Sequence, residues 1–326
     1  MSIQKYEIFL RTLETGSVSR AAEDLGLTQS AVSHALSSLE EQFGFPLLRR
    51  SRAGVRLTEE GKKVLPSVRK ILSAEAQLRE TDVSQPAILV VSYLRYLAFC
   101  EKNVHDPVFY AGHSLGEYTA LLAAGVLDFQ EAVRLIGIRA ACMKQAAAAH
   151  AGTMAAVVCE DDTRQVLSVL RKLRRNGTAP ALGCINGARQ LVLSGTPEEI
   201  AAVSDALQGL HGIRIVPLQV QGAFHSPLMA DAAAAFSDAL AKAAFRPIGK
   251  HCAILSNVTG APYPDTDALR RELLLQLTHP VQWQNAVRYM AAHGAETFVE
   301  FGARPTLTQL IRKEVPGHAY AYSETD

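Results

Sequence analysis

The sequence predicts an α/β protein preceded by an all-α domain, and three stretches of its 326 residues support this fold class. Residues 1–80 carry apolar side chains at helical spacing. Residues 108–124 contain two apolar runs around a glycine turn, which is typical of a buried strand leading sharply into a helix. Residues 152–220 alternate in the order β-α-β-β-α-β, which predicts a ferredoxin-like subdomain.

The composition sets broad limits on organisation and location. A chain of this length fits two domains, and the polar stretch 81–86, ending in proline, predicts a linker between residues 1–80 and residues 87–326. The five cysteines form no C-x-x-C pair, so we expect no disulfide framework, no metal site and a cytoplasmic location. We expect no membrane span, because no run of about 18 apolar residues occurs. The net charge of +1 points to no class of partner.

A helix-turn-helix pattern occupies the start of the chain. Helical spacing predicts a first helix that ends at Gly16, a second helix capped by Ser17 and, after a glycine turn, a third helix capped by Thr28. The outward side chains of the third helix are small or hydrogen-bonding, as a helix in a DNA major groove needs: Gln29, Ser30, Ser33, His34 and Ser37.

A basic turn and a long helix follow this pattern. Two β-like runs within residues 47–57 flank a turn with four arginines and no acid, which predicts a wing: Arg49, Arg50, Arg52 and Arg56. Thr58 then caps a helix that runs to about residue 80. The basic run alone is better explained by a solvated loop, whereas its position after a helix-turn-helix favours contact with nucleic acid.

The ordered motifs of residues 1–80 closely resemble the winged helix-turn-helix domain of LysR-type transcriptional regulators. They are Ala21-Ala22-x-x-Leu25-x-Leu27-Thr28-Gln29-Ser30-Ala31-Val32-Ser33, then Leu39-Glu40, then Arg56-Leu57-Thr58-x-x-Gly61. The resemblance implies DNA binding through the third helix and the wing, and a homodimer through the long linker helix. It also implies that Gln29, Ser30, Ser33 and His34 contact DNA bases or phosphates, and that Arg50 and Arg52 contact the DNA backbone. The chain leaves that family after the linker.

A Gly-x-Ser-x-Gly motif, formed by Gly112, Ser114 and Gly116, lies within the predicted strand–turn–helix. This context is that of a nucleophile elbow, in which a tight turn exposes the serine oxygen. The start of the following helix directs N–H groups toward any oxyanion that forms there. The motif alone is weak evidence, but its flanking strand and helix favour a nucleophile.

The full string Gly-His-Ser-Leu-Gly-Glu-Tyr resembles the active-site signature of malonyl-CoA:acyl-carrier-protein transacylases and of polyketide synthase acyltransferase domains. The resemblance covers about residues 85–320. It implies a hydrolase-like core of parallel sheet with helices on both faces, plus the inserted ferredoxin-like subdomain. It also implies an enzyme of fatty acid or polyketide biosynthesis, with malonyl-CoA as substrate, an acyl carrier protein as partner and no bound cofactor.

Five further residues match that family's site. Arg139 stands amid apolar residues, so it either snorkels or, as the resemblance implies, pairs bidentately with the malonyl carboxylate. His225 is either structural or the base of a Ser–His dyad, oriented by the carbonyl of Gln276. Phe224 either belongs to the core or excludes acyl groups branched at the α-carbon. His113, inside the signature, is also assigned to the substrate.

The family's opening Gly-Gln-Gly loop is not found in the sequence. The resemblance implies that this loop supplies one oxyanion N–H and that Leu115 supplies the other. Loss of one such donor typically costs about 10²–10³ in rate. Three functions therefore stay open: a malonyltransferase acting through Ser114, a DNA-binding regulator whose degenerate acyltransferase domain senses or dimerises, and a serine hydrolase, which Arg139 disfavours.

Overall fold

The computed structural model describes residues 3–51, 54–79, 81–103, 107–249, 252–302 and 304–322. The chain folds as two compact units, one ending at residue 80 and the other beginning at Thr81. Each unit has its own apolar core.

The first unit consists of three helices, a hairpin and a long helix. They are α1 (Ile3–Thr15), α2 (Val18–Leu25), α3 (Gln29–Phe43), β1 (Leu48–Ser51), β2 (Gly54–Leu57) and α4 (Glu59–Arg79). The predicted caps are confirmed, because the Ser17 side chain accepts from the N–H of Arg20 and that of Thr28 from the N–H of Ala31. The hairpin is antiparallel. Buried apolar side chains fill the space between these elements, including Phe9, Val32, Leu36, Leu39 and Leu47.

The second unit mixes helices with short strands. They are α5 (Thr81–Lys102), β3 (Phe109–Tyr110), α6 (Gly116–Ala123), α7 (Phe129–Ala149), β4 (Thr153–Cys159), α8 (Arg164–Arg175), β5 (Ala181–Gly187), β6 (Gln190–Gly195), α9 (Pro197–Leu207), β7 (Ile213–Pro217), α10 (Ala230–Ala241), β8 (Ala253–Ile254), α11 (Thr266–Leu275), α12 (Trp283–Ala292), β9 (Thr297–Glu300), α13 (Thr306–Glu314) and β10 (His318–Ala321).

The predicted linker at residues 81–86 is wrong, because this segment forms the first turns of α5 and Pro86 lies inside that helix. Two contacts hold these turns. Asp82 forms an ion pair with Lys144 at 3.0 Å, and Gln85 accepts a hydrogen bond from Arg139. Both contacts favour the helical conformation of these turns, whereas Pro86 removes one helix hydrogen bond.

The β-α-β-β-α-β order predicted within residues 152–220 is confirmed. The four strands form one antiparallel sheet in the order β5-β6-β4-β7, which is the ferredoxin-like arrangement. Helices α8 and α9 cover one face, and their apolar side chains pack on the sheet.

The core of parallel sheet that the resemblance implies does not form one sheet among the residues described. Instead β3 pairs in parallel with β8, and β9 pairs in parallel with β10, as two separate two-stranded sheets. Parallel strands normally belong to larger sheets covered on both faces. None of the described strands joins the two pairs.

Helix α5 leaves an apolar row uncovered, which we define as Ile88, Val91, Leu94 and Leu97, each 39–54% exposed. In the described part of the chain α5 is also the one helix that could cross a membrane by length and composition, which is weak evidence on its own. The side chain of Leu89 in the same helix is fully buried in the core of the second unit. Helix α5 is therefore a packed helix of this unit with one side uncovered.

Candidate active site

Ser114 lies at the sharp turn between β3 and α6. Its backbone is left-handed, with φ of +53°, which is uncommon for a residue other than glycine. The N–H groups of Gly116 and Glu117 close the turn by donating to the carbonyls of His113 and Ser114 at 2.9 and 3.1 Å. A Cβ atom at Gly112 would lie 2.0 Å from the carbonyl carbon of Gly116, so only glycine fits there. The turn therefore has the geometry of a nucleophile elbow.

The structure brings His225 and Gln276 to this serine. Oγ of Ser114 lies 2.8 Å from Nε2 of His225, and Nδ1 of His225 donates to the backbone carbonyl of Gln276 at 2.7 Å. Because a carbonyl can only accept, the proton of a neutral imidazole sits on Nδ1, and Nε2 is left to accept the serine proton. Burial, and then the charge of Arg139, lowers the pKa of His225 to about 3. His225 is thus a neutral base at neutral pH.

Arg139 projects from α7 and is 1% exposed, beside the serine. Its Nη2 lies 3.3 Å from Oγ of Ser114 and donates to Oε1 of Gln276 at 2.7 Å, while Nη1 donates to Oε1 of Gln85 at 2.5 Å. The three side chains that these nitrogens contact are all uncharged. Among the described residues, Nε of Arg139 has no hydrogen-bond acceptor. Burial lowers the pKa of Arg139, so the fold bears the cost of a buried cation. Such a cation suits an anionic substrate group.

Two residues that the sequence did not mark as functional, Asn257 and Glu117, support the backbone of the elbow through hydrogen bonds. Oδ1 of Asn257 accepts the N–H of Ser114 at 2.6 Å, and its Nδ2 donates to the carbonyl of Gly112 at 2.7 Å. The N–H of Asn257 in turn donates to Oε1 of the buried Glu117 at 2.7 Å. Glu117 stands in the signature string, but Asn257 follows an ordinary short apolar run and carries no signal in the sequence.

Leu115 is placed to act on a developing oxyanion. Its N–H, at the start of α6, has no hydrogen-bond acceptor among the residues that the structure describes. The N–H of Ser114 is occupied by Asn257. One backbone donor is therefore available on this side of the site.

A cleft of about 380 Å³ opens in front of the serine and is lined by residues of the core and of the ferredoxin-like subdomain, Phe224 among them. His113 also lines it, and its Nε2 lies 2.9 Å from Oδ1 of Asn186. Burial lowers the pKa of His113, which keeps this ring neutral. Gln85, placed in a linker by the sequence prediction, lines the same cleft through α5. Pro86 argued against a helix in this segment, so the sequence did not predict Gln85 at the cleft.

The residues predicted to contact DNA lie in the other unit. Gln29, Ser30 and His34 are exposed along the first turns of α3, and Ser33 is half-buried there. The Arg50 side chain and all of Arg52 lie outside the described residues. Across the described ranges, no group of three or more His, Cys, Asp or Glu side chains is placed to hold a metal ion.

Comparisons with known proteins agree on one family. A family model described as acyl transferase domain matches residues 22–321. The polyketide biosynthesis protein ThaF of Burkholderia thailandensis is 38% identical over 77% of this chain and 21% of its own length. The malonyl CoA-acyl carrier protein transacylase of Bacillus subtilis is 34% identical over 82% of this chain and 66% of its own.

A solved complex has the same fold. It is PlMCAT:AntF, a type II polyketide synthase acyl carrier protein with its malonyl-transacylase, and it is 30% identical with a TM-score of 0.71 over 76% of this chain and 79% of that one. The chain spans less than two thirds of the length of the two curated relatives. The match of the family model to residues 22–321, together with the elbow and the Ser114–His225 pair, shows that the chain belongs to the acyl transferase family.

Proposed function

We propose that this chain moves a malonyl group from malonyl-CoA to the phosphopantetheine thiol of an acyl carrier protein. The observation that carries the proposal is a Ser114–His225 hydrogen bond of 2.8 Å beside the buried guanidinium of Arg139. The pair supplies a nucleophile and its base, and the guanidinium supplies a partner for a carboxylated acyl group. An ordinary esterase would have no use for a buried cation 3.3 Å from its serine oxygen.

In the first half-reaction Oγ of Ser114 attacks the thioester carbon while Nε2 of His225 takes its proton. The N–H of Leu115 stabilises the oxyanion, and the malonyl carboxylate binds Arg139. The C–S bond then breaks, and the leaving sulfur takes the proton back from His225. CoA departs as a thiol, and the malonyl group stays on Ser114 as an ester.

In the second half-reaction His225 takes the proton of the incoming phosphopantetheine thiol, and the thiolate attacks the ester. The C–O bond breaks, and Ser114 recovers its proton from His225. No cofactor takes part. The Bacillus subtilis relative and PlMCAT carry the same activity in their names, and PlMCAT is solved with an acyl carrier protein. These names support malonyl-CoA, a carrier protein and a place in fatty acid or polyketide biosynthesis in the cytoplasm.

The test is intact-protein mass spectrometry of the full chain after incubation with malonyl-CoA. We expect a malonyl adduct on the wild type and none on Ser114→Ala. Addition of a holo acyl carrier protein should then move the adduct to the carrier. Rapid loss of the adduct to water without a carrier would show a hydrolase, and no adduct on folded protein would overturn the proposal.

A second candidate function belongs to the first unit. Two observations support it: the polar side chains at the start of α3 are exposed, and the antiparallel hairpin β1–β2 follows that helix. We propose DNA binding by residues 1–80, with pairing of two chains through α4, on which Ile71 is exposed.

Fluorescence anisotropy of the full chain with a pool of random duplexes tests DNA binding. Affinity should fall steeply between about 50 and 200 mM salt, and Gln29→Ala with His34→Ala should weaken it. No binding at the lower salt concentration would remove this function. Light scattering that shows a monomer would remove the dimer.

A further inference from the structure

Gln276 is the link between the nucleophile and the buried cation. Its backbone carbonyl holds His225, its Oε1 accepts from Nη2 of Arg139 at 2.7 Å, and its Nε2 donates to the carbonyl of Ser114 at 3.0 Å. The side chain is 1% exposed, so water cannot replace these partners. The orientation of one amide therefore decides whether Arg139 faces an oxygen or an N–H group.

Glu117 fixes that orientation from the opposite side. Oε2 of Glu117 accepts a hydrogen bond from Nε2 of Gln276. Oε1 of Glu117 accepts from the N–H of Asn257 at 2.7 Å and from the hydroxyl of Tyr263. A reversed Gln276 amide would set two oxygens against each other at Glu117 and two donors against each other at Arg139. The carboxylate and the guanidinium thus favour the same amide orientation.

The geometry points to Glu117 as a positioning residue that sets the preference for carboxylated acyl groups, through the amide of Gln276 that aligns Arg139. This inference rests on the proposed function, because it concerns the same serine and the same cation. In this role Glu117 does not contact the substrate. The simpler alternative is that Glu117 only ties α6 to the segment after β8, since Asn257 and Tyr263 both lie there.

The arrangement is costly for a merely structural contact. Glu117 is fully buried, and burial raises the pKa of its carboxyl to about 7 despite the hydrogen bonds and the charge of Arg139, which favour the carboxylate. A glutamine of the same shape could keep both hydrogen bonds to Oε1 without an ionisable group. A glutamine at position 117 could not accept the Nε2–H of Gln276, because its own NH₂ group would replace Oε2, the atom that accepts this hydrogen bond.

The variant that tests this is Glu117→Gln. Its NH₂ group should turn the Gln276 amide over, so that an N–H group faces Arg139. We expect the ratio of Ser114 acylation rates with malonyl-CoA and acetyl-CoA to fall by about tenfold or more, roughly the loss of one charge-assisted hydrogen bond. The turned amide also sets an oxygen against the carbonyl of Ser114. Labelling of Ser114 by phenylmethanesulfonyl fluoride, which needs no cation, measures this general effect on the serine, and its rate should fall less than the rate of acylation by malonyl-CoA.

Tyr263→Phe is the matched control, because it removes a donor from the other oxygen of the same carboxylate. It should lower thermal stability while leaving the malonyl-to-acetyl ratio as in wild type. A ratio unchanged in Glu117→Gln, or a parallel fall of all three rates with the melting temperature, would overturn the inference in favour of the structural alternative.

Protection by free malonate separates this inference from the proposed function. Malonate bound at Arg139 should shield Ser114 from phenylmethanesulfonyl fluoride in wild type, and about tenfold more malonate should be needed in Glu117→Gln. This comparison involves no acyl transfer. A wild type that malonate protects but malonyl-CoA does not acylate would refute the transferase alone, whereas equal protection of both proteins would refute the role of Glu117.

Discussion

Ser114 and His225 share a left-handed backbone, with φ of +53° and +58°, and their side chains meet at 2.8 Å. They are the two non-glycine residues with positive φ in the part of the chain that is described. Each such conformation costs on the order of 1–3 kcal/mol and persists only where neighbours enforce it. The strain in this molecule therefore coincides with its nucleophile and its base, and the contacts that enforce it can be tested.

The first prediction concerns the close approach inside the elbow. Gly112→Ala should abolish the malonyl adduct and lower the melting temperature, because its Cβ atom would lie 2.0 Å from the backbone of Gly116. Gly116→Ala is the control, since a Cβ atom there has no neighbour within 4 Å, and it should keep the adduct. Intact mass and thermal unfolding give both readings. A Gly112→Ala protein that is acylated like wild type would show that the turn can relax.

The second prediction concerns how the reactivity of Ser114 changes as the pH falls below neutrality. Since the pKa of His225 is lowered to about 3, its imidazole stays neutral as the pH falls. The rate of labelling by phenylmethanesulfonyl fluoride should drop less than about twofold from pH 8 to pH 5.5, whereas an ordinary imidazole would lose about tenfold. Single-turnover labelling, with circular dichroism to check folding, measures this. A tenfold fall would mean that His225 titrates normally.

Local sequence signals predicted much of this structure, and long-range contacts account for what they missed. The caps at Ser17 and Thr28 and the elbow at Ser114 depend on neighbouring residues, so their patterns are legible in the sequence. The place of Gln85 at the site involves a hydrogen bond from Arg139, which lies 54 positions away. The role of Asn257 depends on a serine 143 positions away. A proline nearby and an ordinary apolar run gave no hint of either contact.

The discontinuous parallel sheet was also beyond the local patterns. Strands β3 and β9 each have a convincing apolar sequence, but a parallel sheet needs a neighbour for every inner edge. The sequence contains no Gly-Gln-Gly, and local patterns do not show whether distant residues join the two strand pairs. Among the described residues, none does.

The third prediction concerns the stability of the second unit as a function of pH. The pKa of Glu117 rises from 4.5 to about 7 on folding, so the folded protein holds this proton more tightly than the unfolded chain. The associated stability is complete below pH 4.5 and is lost as the pH rises through about 7. Glu117→Gln lacks this titration. Its free energy of unfolding relative to wild type should therefore increase by at most about 3 kcal/mol across that range.

The fluorescence of Trp283 is the natural probe for this measurement, because it is the one tryptophan of the chain and is buried in the second unit. Denaturant unfolding at several pH values gives the difference between Glu117→Gln and wild type. A difference that does not change between pH 4.5 and pH 7 would mean that the carboxyl titrates alike in the folded and unfolded chain.

The fourth prediction concerns the apolar row on α5. Leu94 is 54% exposed, so Leu94→Glu removes apolar surface from water without opening the core and should reduce aggregation and hydrophobic dye binding. Its malonyl adduct should form at the wild-type rate, because Leu94, unlike Ile88 of the same row, is not among the residues that line the cleft at Ser114. Leu89→Glu, one and a half turns earlier and fully buried, should instead unfold the second unit. Loss of folding in Leu94→Glu would show that this row is covered in the working protein, and native mass spectrometry of the wild type would then identify the mass of what covers it.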